Sequence, residues 1–138
     1  MSSNAEYFDP KGSLRLFLVC HPGLEQWLGE ELVELGYPSH RVIAGGVELD
    51  GSWLDIAFLN HWVRGATRVL VRIAEFSAVH FSQLDKRSRQ IAWQEWLEDG
   101  SQVIVEATAK RSKLYHSKGI AQRVGGAAMT ALNTREDY

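Results

Sequence analysis

Residues 14–36 read LRLFLVCHPGLEQWLGEELVELG, and two periodicities meet inside this stretch. Leu14 to Cys20 is an apolar run with Phe17 and Val19 in it, interrupted only by Arg15, and reads as a central strand. His21-Pro22-Gly23 breaks it, since proline cannot continue a ladder and glycine turns freely. Leu24, Trp27, Leu28, Leu32 and Leu35 then recur at helical spacing, with Glu25, Glu30, Glu31 and Glu34 mostly on the other side. Gly36 is a C-terminal stop, and Pro38 follows as it often does just past a helix end.

Working outward, RVIAGGVELDG at 41–51 reads as two short strands, with Gly45-Gly46 either a tight hairpin turn or a close backbone approach. SWLDIAFLNHWVRGA at 52–66 is a second helix, with Ser52 as N-cap and Asp55 placed to complete a capping box. TRVLVRIAEFSA at 67–78 alternates as a strand does. The order is strand, helix, strand, strand, helix, strand. That is the split βαβ order of a ferredoxin-like α+β fold, an antiparallel sheet with its helices on one face, closing near Ala78. Beyond it, FSQLDKRSRQIAWQEWLEDG at 81–100 reads as one longer helix. SQVIVEATAK at 101–110 reads as a strand, and SKGIAQRVGGAAMTALN at 117–133 as a last helix whose small residues allow close packing on a sheet. A lone strand leaves its backbone groups unpaired. Val103 to Thr108 therefore either joins the first sheet or pairs with chain beyond Tyr138. The resulting division is a loose polar tail at 1–13, a ferredoxin-like unit at 14–78 and a second unit at 79–138.

The chain has 138 residues, of which 45% are apolar, enough for a core. A formal net charge of -2 does not suit a protein that coats DNA indiscriminately. The charge is unevenly spread, however. Only Lys11, Arg15 and Arg41 are basic in the first 60 residues, and no acidic residue lies between Glu106 and Glu136. Cys20 is the single cysteine, which rules out an intrachain disulfide and fits a cytoplasmic protein. The apolar run at 14–20 is far too short to span a bilayer.

The residues offer little for catalysis. His21, His40, His61, His80 and His116 are scattered, with no H-x-x-x-H or CxxC spacing, so no metal site is expected. Cys20 and His21 are strand neighbours and point to opposite faces. Neither AGGVELDG nor RVGGAA is a dinucleotide fingerprint or a P-loop, so no cofactor-binding residue is assigned. Trp27, Trp53, Trp62, Trp93 and Trp96, at apolar helical positions, read as core or domain-interface residues. What stands out is the basic run after the last strand: Lys110, Arg111, Ser112, Lys113, Tyr115, His116, Ser117, Lys118 and Arg123. Cations, hydroxyls, a ring for stacking and a helix N-terminus capped by Ser117 are what RNA recognition uses. A few lysines in a solvated loop remain the alternative on composition alone.

The blocks HPGLEQWLGEELVELG, VIAGGVELDG, LNHWVRGATRVLVRIAEF, AWQEWL, VEATAKRSKLYHS and IAQRVGGAAMTAL follow one another in the order found in the THUMP-containing RNA methyltransferases. The chain resembles, in particular, the N-terminal part of the bacterial type that modifies guanine N2 in large-subunit ribosomal RNA. The resemblance covers roughly 14–132. It implies a ferredoxin-like domain followed by the first half of THUMP, as helix, strand and helix. It also implies that Lys110, Arg111, Lys113, Tyr115, His116, Lys118 and Arg123 lie on or near an RNA-facing part. S-adenosylmethionine is implied for a catalytic domain, yet the chain has neither a Gly-rich cofactor loop nor an N-P-P-Y-type motif. The expectation is therefore a fragment that presents structured RNA without methylating it, and that could self-associate through exposed strand edges. The alternatives are the THUMP region of a tRNA methyltransferase or thiouridine synthase, and a protein-interaction module built on the acidic helix with Glu30, Glu31 and Glu34. An acylphosphatase-like hydrolase would want an arginine in the loop after the first strand, where CHPGLEQ stands.

Overall fold

A computed structural model describes residues 5–109 and 117–132. The elements in chain order are β1 (Glu6–Tyr7), β2 (Leu14–Val19), α1 (Glu25–Glu34), β3 (Arg41–Ile43), β4 (Gly46–Gly51), α2 (Trp53–Trp62), β5 (Arg68–Arg72), β6 (Ala74–Glu75), α3 (Phe81–Arg89), α4 (Trp93–Trp96) and α5 (Ser117–Ala131). They fall into two compact units, Phe8–Ile73 and the remainder. The divisions lie at 7/8 and 73/74, where composition placed them at 13/14 and 78/79.

In the unit Phe8–Ile73 the strands run β3-β4-β2-β5 and every pairing is antiparallel, the ferredoxin-like arrangement expected from the element order. The physical basis is the alternation in β2. Leu14, Leu16 and Leu18 are wholly buried, while Arg15, Phe17 and Val19 point to the opposite face. Leu28 and Leu32 from α1, Leu59 from α2, and Val47 and Leu49 from β4 complete the core. Each such leucine contributes about 1.5–3 kcal/mol relative to exposure.

The helix ends are held by local chemistry. At the end of α1, Gly36 adopts φ 100°, Tyr37 N donates to Leu32 O at 2.8 Å, and Gly36 N donates to Val33 O at 3.1 Å. This is a Schellman stop. Ser52 and Asp55 form the full capping box on α2. Tyr37 Oη also donates to Asp55 Oδ1 at 2.7 Å, joining the end of α1 to the start of α2. Glu31 accepts from the backbone N–H groups of Arg64 and Gly65, both at 2.9 Å, and so fixes the loop before β5. Glu31 thus works inside the fold, which weakens the reading of its helix as an acidic docking face. Between β3 and β4 the two glycines have separate roles. Gly45 turns the hairpin at φ 86°, and Gly46 approaches so closely that a Cβ there would sit 2.0 Å from Leu18 O.

The other unit departs from expectation at several points. Glu6–Tyr7, read as part of a loose tail, pairs with Ala74–Glu75. Tyr7 Oη donates to Gln90 Oε1 at 2.9 Å. The single helix expected over 81–99 breaks after Arg89. Ser88 O accepts from Trp93 Nε1 at 2.9 Å and from Ile91 N at 3.3 Å, so it is taken by a tight turn and an indole instead of continuing the helix. The expected strand at 103–108 belongs to no ladder among the described residues, although its burial alternates as a strand's would. Val105 packs at Gly125 of α5, and Ile104 points away at 91% exposure. The small face of α5 likewise packs chiefly on α3, with Gly125, Ala127 and Ala128 buried, rather than on a sheet. Of the five tryptophans only Trp93 is buried, while Trp27, Trp53 and Trp62 are more than half exposed. A helix on one side of a small sheet has only one stripe to bury. No helix among the described residues is long and apolar enough to cross a membrane.

The Tyr37–Asp55 bond sets a pH dependence. The phenol and the Ser52 N–H hold the Asp55 carboxyl below its ordinary range, against a smaller opposing effect of burial. Burial, then the bond to Asp55, pushes Tyr37 up to about 12. A depressed carboxyl stabilises above its unfolded pKa and loses that contribution as pH falls through the folded value. A raised phenol stabilises below its unfolded pKa and loses that contribution as pH rises from there toward about 12. Tyr37→Phe is therefore expected to lower stability by about 1 kcal/mol at pH 7. Urea denaturation should show the difference from the parent chain shrinking on acidification below the ordinary carboxyl range.

Candidate nucleic-acid interface

The basic run at 110–123 is described in part. Lys110, Arg111, Ser112, Lys113, Tyr115 and His116 lie outside the described residues. Ser117 is the first residue of α5, within one residue of the cap position expected for it, and both it and Lys118 are exposed. The opposite end of α5 is held in place. Gln94 Nε2 donates to Ala131 O and Gly100 N donates to Leu132 O, each at 2.8 Å. Along its side, Val105 Cγ2 would lie 3.4 Å from a Cβ at Gly125, an ordinary contact. Arg123 does not join Lys118. Five positions along a helix turn a side chain by about 140°, and Arg123 instead lies over the Phe81 ring, 5.9 Å from its centroid. Within the same unit, α3 ends on Lys86, Arg87 and Arg89, a basic turn not singled out from the sequence. Arg89 is paired with Asp85 at 3.2 Å.

A second cluster, also missed from sequence, lies on the face of the four-stranded sheet opposite the helices. Cross-strand register places Arg15 beside Asp50 and Arg72, and Phe17 beside Glu48 and Leu70. Arg41 stands beside Glu48 from the other side. Glu48 is 8% exposed and acts as a hub. It bonds Arg41, meets Arg72 Nη2 at 3.3 Å, and has Arg15 Nε at 3.8 Å. Arg15 Nε is also 3.8 Å from Asp50 and makes no hydrogen bond among the described residues. Its guanidinium lies over Phe8, 5.2 Å from the ring centroid. The signal for this cluster was the two-residue spacing of Arg15-x-Phe17 and Arg68-x-Leu70-x-Arg72, which only the strand register gathers.

Burial, and to a lesser degree the nearby Glu25, pushes the Cys20 thiol up, so it stays protonated. No group of three or more metal-ligating side chains converges among the described residues.

Comparison with known proteins places this geometry. Residues 15–70 match the model of the RlmL ferredoxin-like domain. The ribosomal RNA large subunit methyltransferase K/L of Syntrophotalea carbinolica is 34% identical over 90% of this chain, which spans only 17% of that protein's length. A Listeria monocytogenes protein described as a "predicted N6-adenine-specific DNA methylase" superposes with a TM-score of 0.82 at 29% identity, over 88% of this chain and 32% of its own. A "possible methylase" from Clostridium difficile 630 gives 0.81 at 31%, over 88% and 33%. SMU.472, a methyltransferase candidate complexed with SAH, gives 0.82 at 29%, over 89% and 33%.

The Glu48 hub is open to a direct test. Glu48→Gln should cost about 1–2 kcal/mol at low salt, because the arginines can rehydrate in part once the charge is gone. Urea denaturation in about 0.5 M salt should show a smaller loss.

Proposed function

We propose that this chain, whose residues 15–70 match the RlmL ferredoxin-like domain, is the N-terminal region of an RlmL-type methyltransferase that binds structured ribosomal RNA and presents it for methylation. The observation that supports this most is the likeness to a large-subunit rRNA methyltransferase, which extends over 90% of the chain. It reaches well past the ferredoxin-like domain at 15–70 into the basic segment. In this reading residues 79–138 are the first part of a THUMP domain. Lys110, Arg111, Lys113, Lys118 and Arg123 neutralise phosphate, Ser112 and Ser117 donate hydrogen bonds, and Tyr115 and His116 meet bases. The work is electrostatic and positional.

The methyl donor, S-adenosylmethionine in this reading, has no cradle among the described residues. The sheet of the ferredoxin-like unit is antiparallel throughout, and its tight glycine turn at Gly45 leads into a strand. In doubly wound folds the dinucleotide cradle is a parallel strand leading through a glycine loop into a helix. No chemical step is assigned to this chain. The name of the Listeria relative points to DNA instead of RNA, so a DNA arm belongs in the test.

The test is a titration of a labelled fragment of 23S rRNA with this chain at several salt concentrations. If about four cations contact phosphates, log affinity should fall against log salt with a slope of about -3, at roughly 0.7 per contact on single strands. Salt-independent binding, or a preference for DNA of the same sequence, would overturn the reading.

A further inference from the structure

The helix-free face of the four-stranded sheet has the composition of a nucleotide-stacking platform. Both helices pack on the other side, against β3, β4 and β5. On the free face Phe17 sits in the middle strand β2, with Leu70 opposite it on β5 and Glu48 opposite it on β4. Leu70 is 43% and Ile43 39% exposed. Beside Phe17, Gly46 contributes no side chain, and a Cβ there would come within 3.0 Å of Phe17 Cζ. The phenyl ring thus lies across a bare stretch of backbone, and Phe17 is part-exposed.

Charge surrounds this ring unevenly. Strand register places Arg15, Arg41, Arg68 and Arg72 on this face together with Glu48 and Asp50. Three arginines, Arg15, Arg41 and Arg72, converge on Glu48. Arg41 keeps a 56% exposed side chain even with that contact. A flat sheet carrying a central aromatic ring, with arginines around it, suits unpaired bases, whose rings stack while the phosphates meet the cations. It does not suit an intact A-form duplex, whose bases are stacked on one another.

We propose that this face is a second RNA-contact surface, distinct from the basic segment at 110–123, and that it holds unpaired nucleotides. Phe17 stacks on a base, Arg41, Arg68 and Arg72 contact phosphates, and Glu48 competes with phosphate for the arginines. The inference rests on the reading of the chain as an RNA-binding protein.

The experiment is fluorescence anisotropy on the full 138-residue chain, with three labelled probes: an unstructured oligouridine, its DNA counterpart and an RNA duplex. Thermal melting by circular dichroism confirms that each variant is folded. Phe17→Leu keeps apolar bulk and loses the aromatic face. It should lower the ratio of single-strand to duplex affinity about fivefold or more. Replacing Lys110, Arg111 and Lys113 together by glutamine should move that ratio the other way. Glu48→Gln releases the arginines from their carboxylate and should tighten oligouridine binding and steepen its salt dependence, an effect that a purely structural role would not produce. Should Phe17→Leu fail to fold, Arg41→Gln and Glu48→Gln decide by moving oligouridine affinity in opposite directions. An unchanged ratio in folded Phe17→Leu, or unchanged affinity in Glu48→Gln, overturns the inference. Equal affinity for the DNA oligomer overturns its assignment to RNA. Duplex binding with no oligouridine binding defeats this inference and leaves the proposed function standing, while no binding to any RNA defeats both.

Discussion

The structure depends on the two-residue alternation of a single strand. Leu14, Leu16 and Leu18 face the helices and are fully buried, while Arg15, Phe17 and Val19 face away. Because β2 is central, with β4 on one side and β5 on the other, its register imposes the same division on both neighbours. Slipping either pairing by one residue would turn Val47 and Leu49 out of the core, or Val69 and Val71 away from the helix side. One alternation therefore fixes both the hydrophobic core and the polar, partly aromatic face behind it.

That constraint explains which parts of the fold could be read from the amino acids. The split order of the first unit, the stop at Gly36 and the capping box at Ser52 and Asp55 are local features, and each appeared as read. What escaped reading depends on partners distant in sequence. The helix break after Arg89 comes from an indole, Trp93, taking the Ser88 carbonyl. The segment 103–108 has the right alternation, but alternation alone does not supply a neighbouring strand. Glu6–Tyr7 is too short to carry any pattern of its own, and only its pairing with Ala74–Glu75 defines it.

The candidate surfaces divide in the same way. The basic run at 110–123 is contiguous and visible in the sequence, and of its described members Lys118 is exposed while Arg123 turns toward Phe81. The arginines at 15, 41, 68 and 72 are dispersed over more than fifty positions, so no contiguous basic run marks them. Antiparallel register puts all four on one face, where Arg15, Arg41 and Arg72 meet one buried carboxylate. Net charge gave no hint of this, because acidic residues such as Glu30 and Glu34 on α1 cancel the arginines in the total.

The most direct test of the central claim, that this chain contacts RNA through its cationic surfaces, is photocrosslinking. The chain would be irradiated with a 4-thiouridine-substituted 23S rRNA fragment and the linked peptides identified by mass spectrometry. The account predicts links within 110–118 and at Phe17 or its strand neighbours. Links confined to the exposed sides of α1 and α2, or no links above those to an unrelated acidic protein, would contradict it.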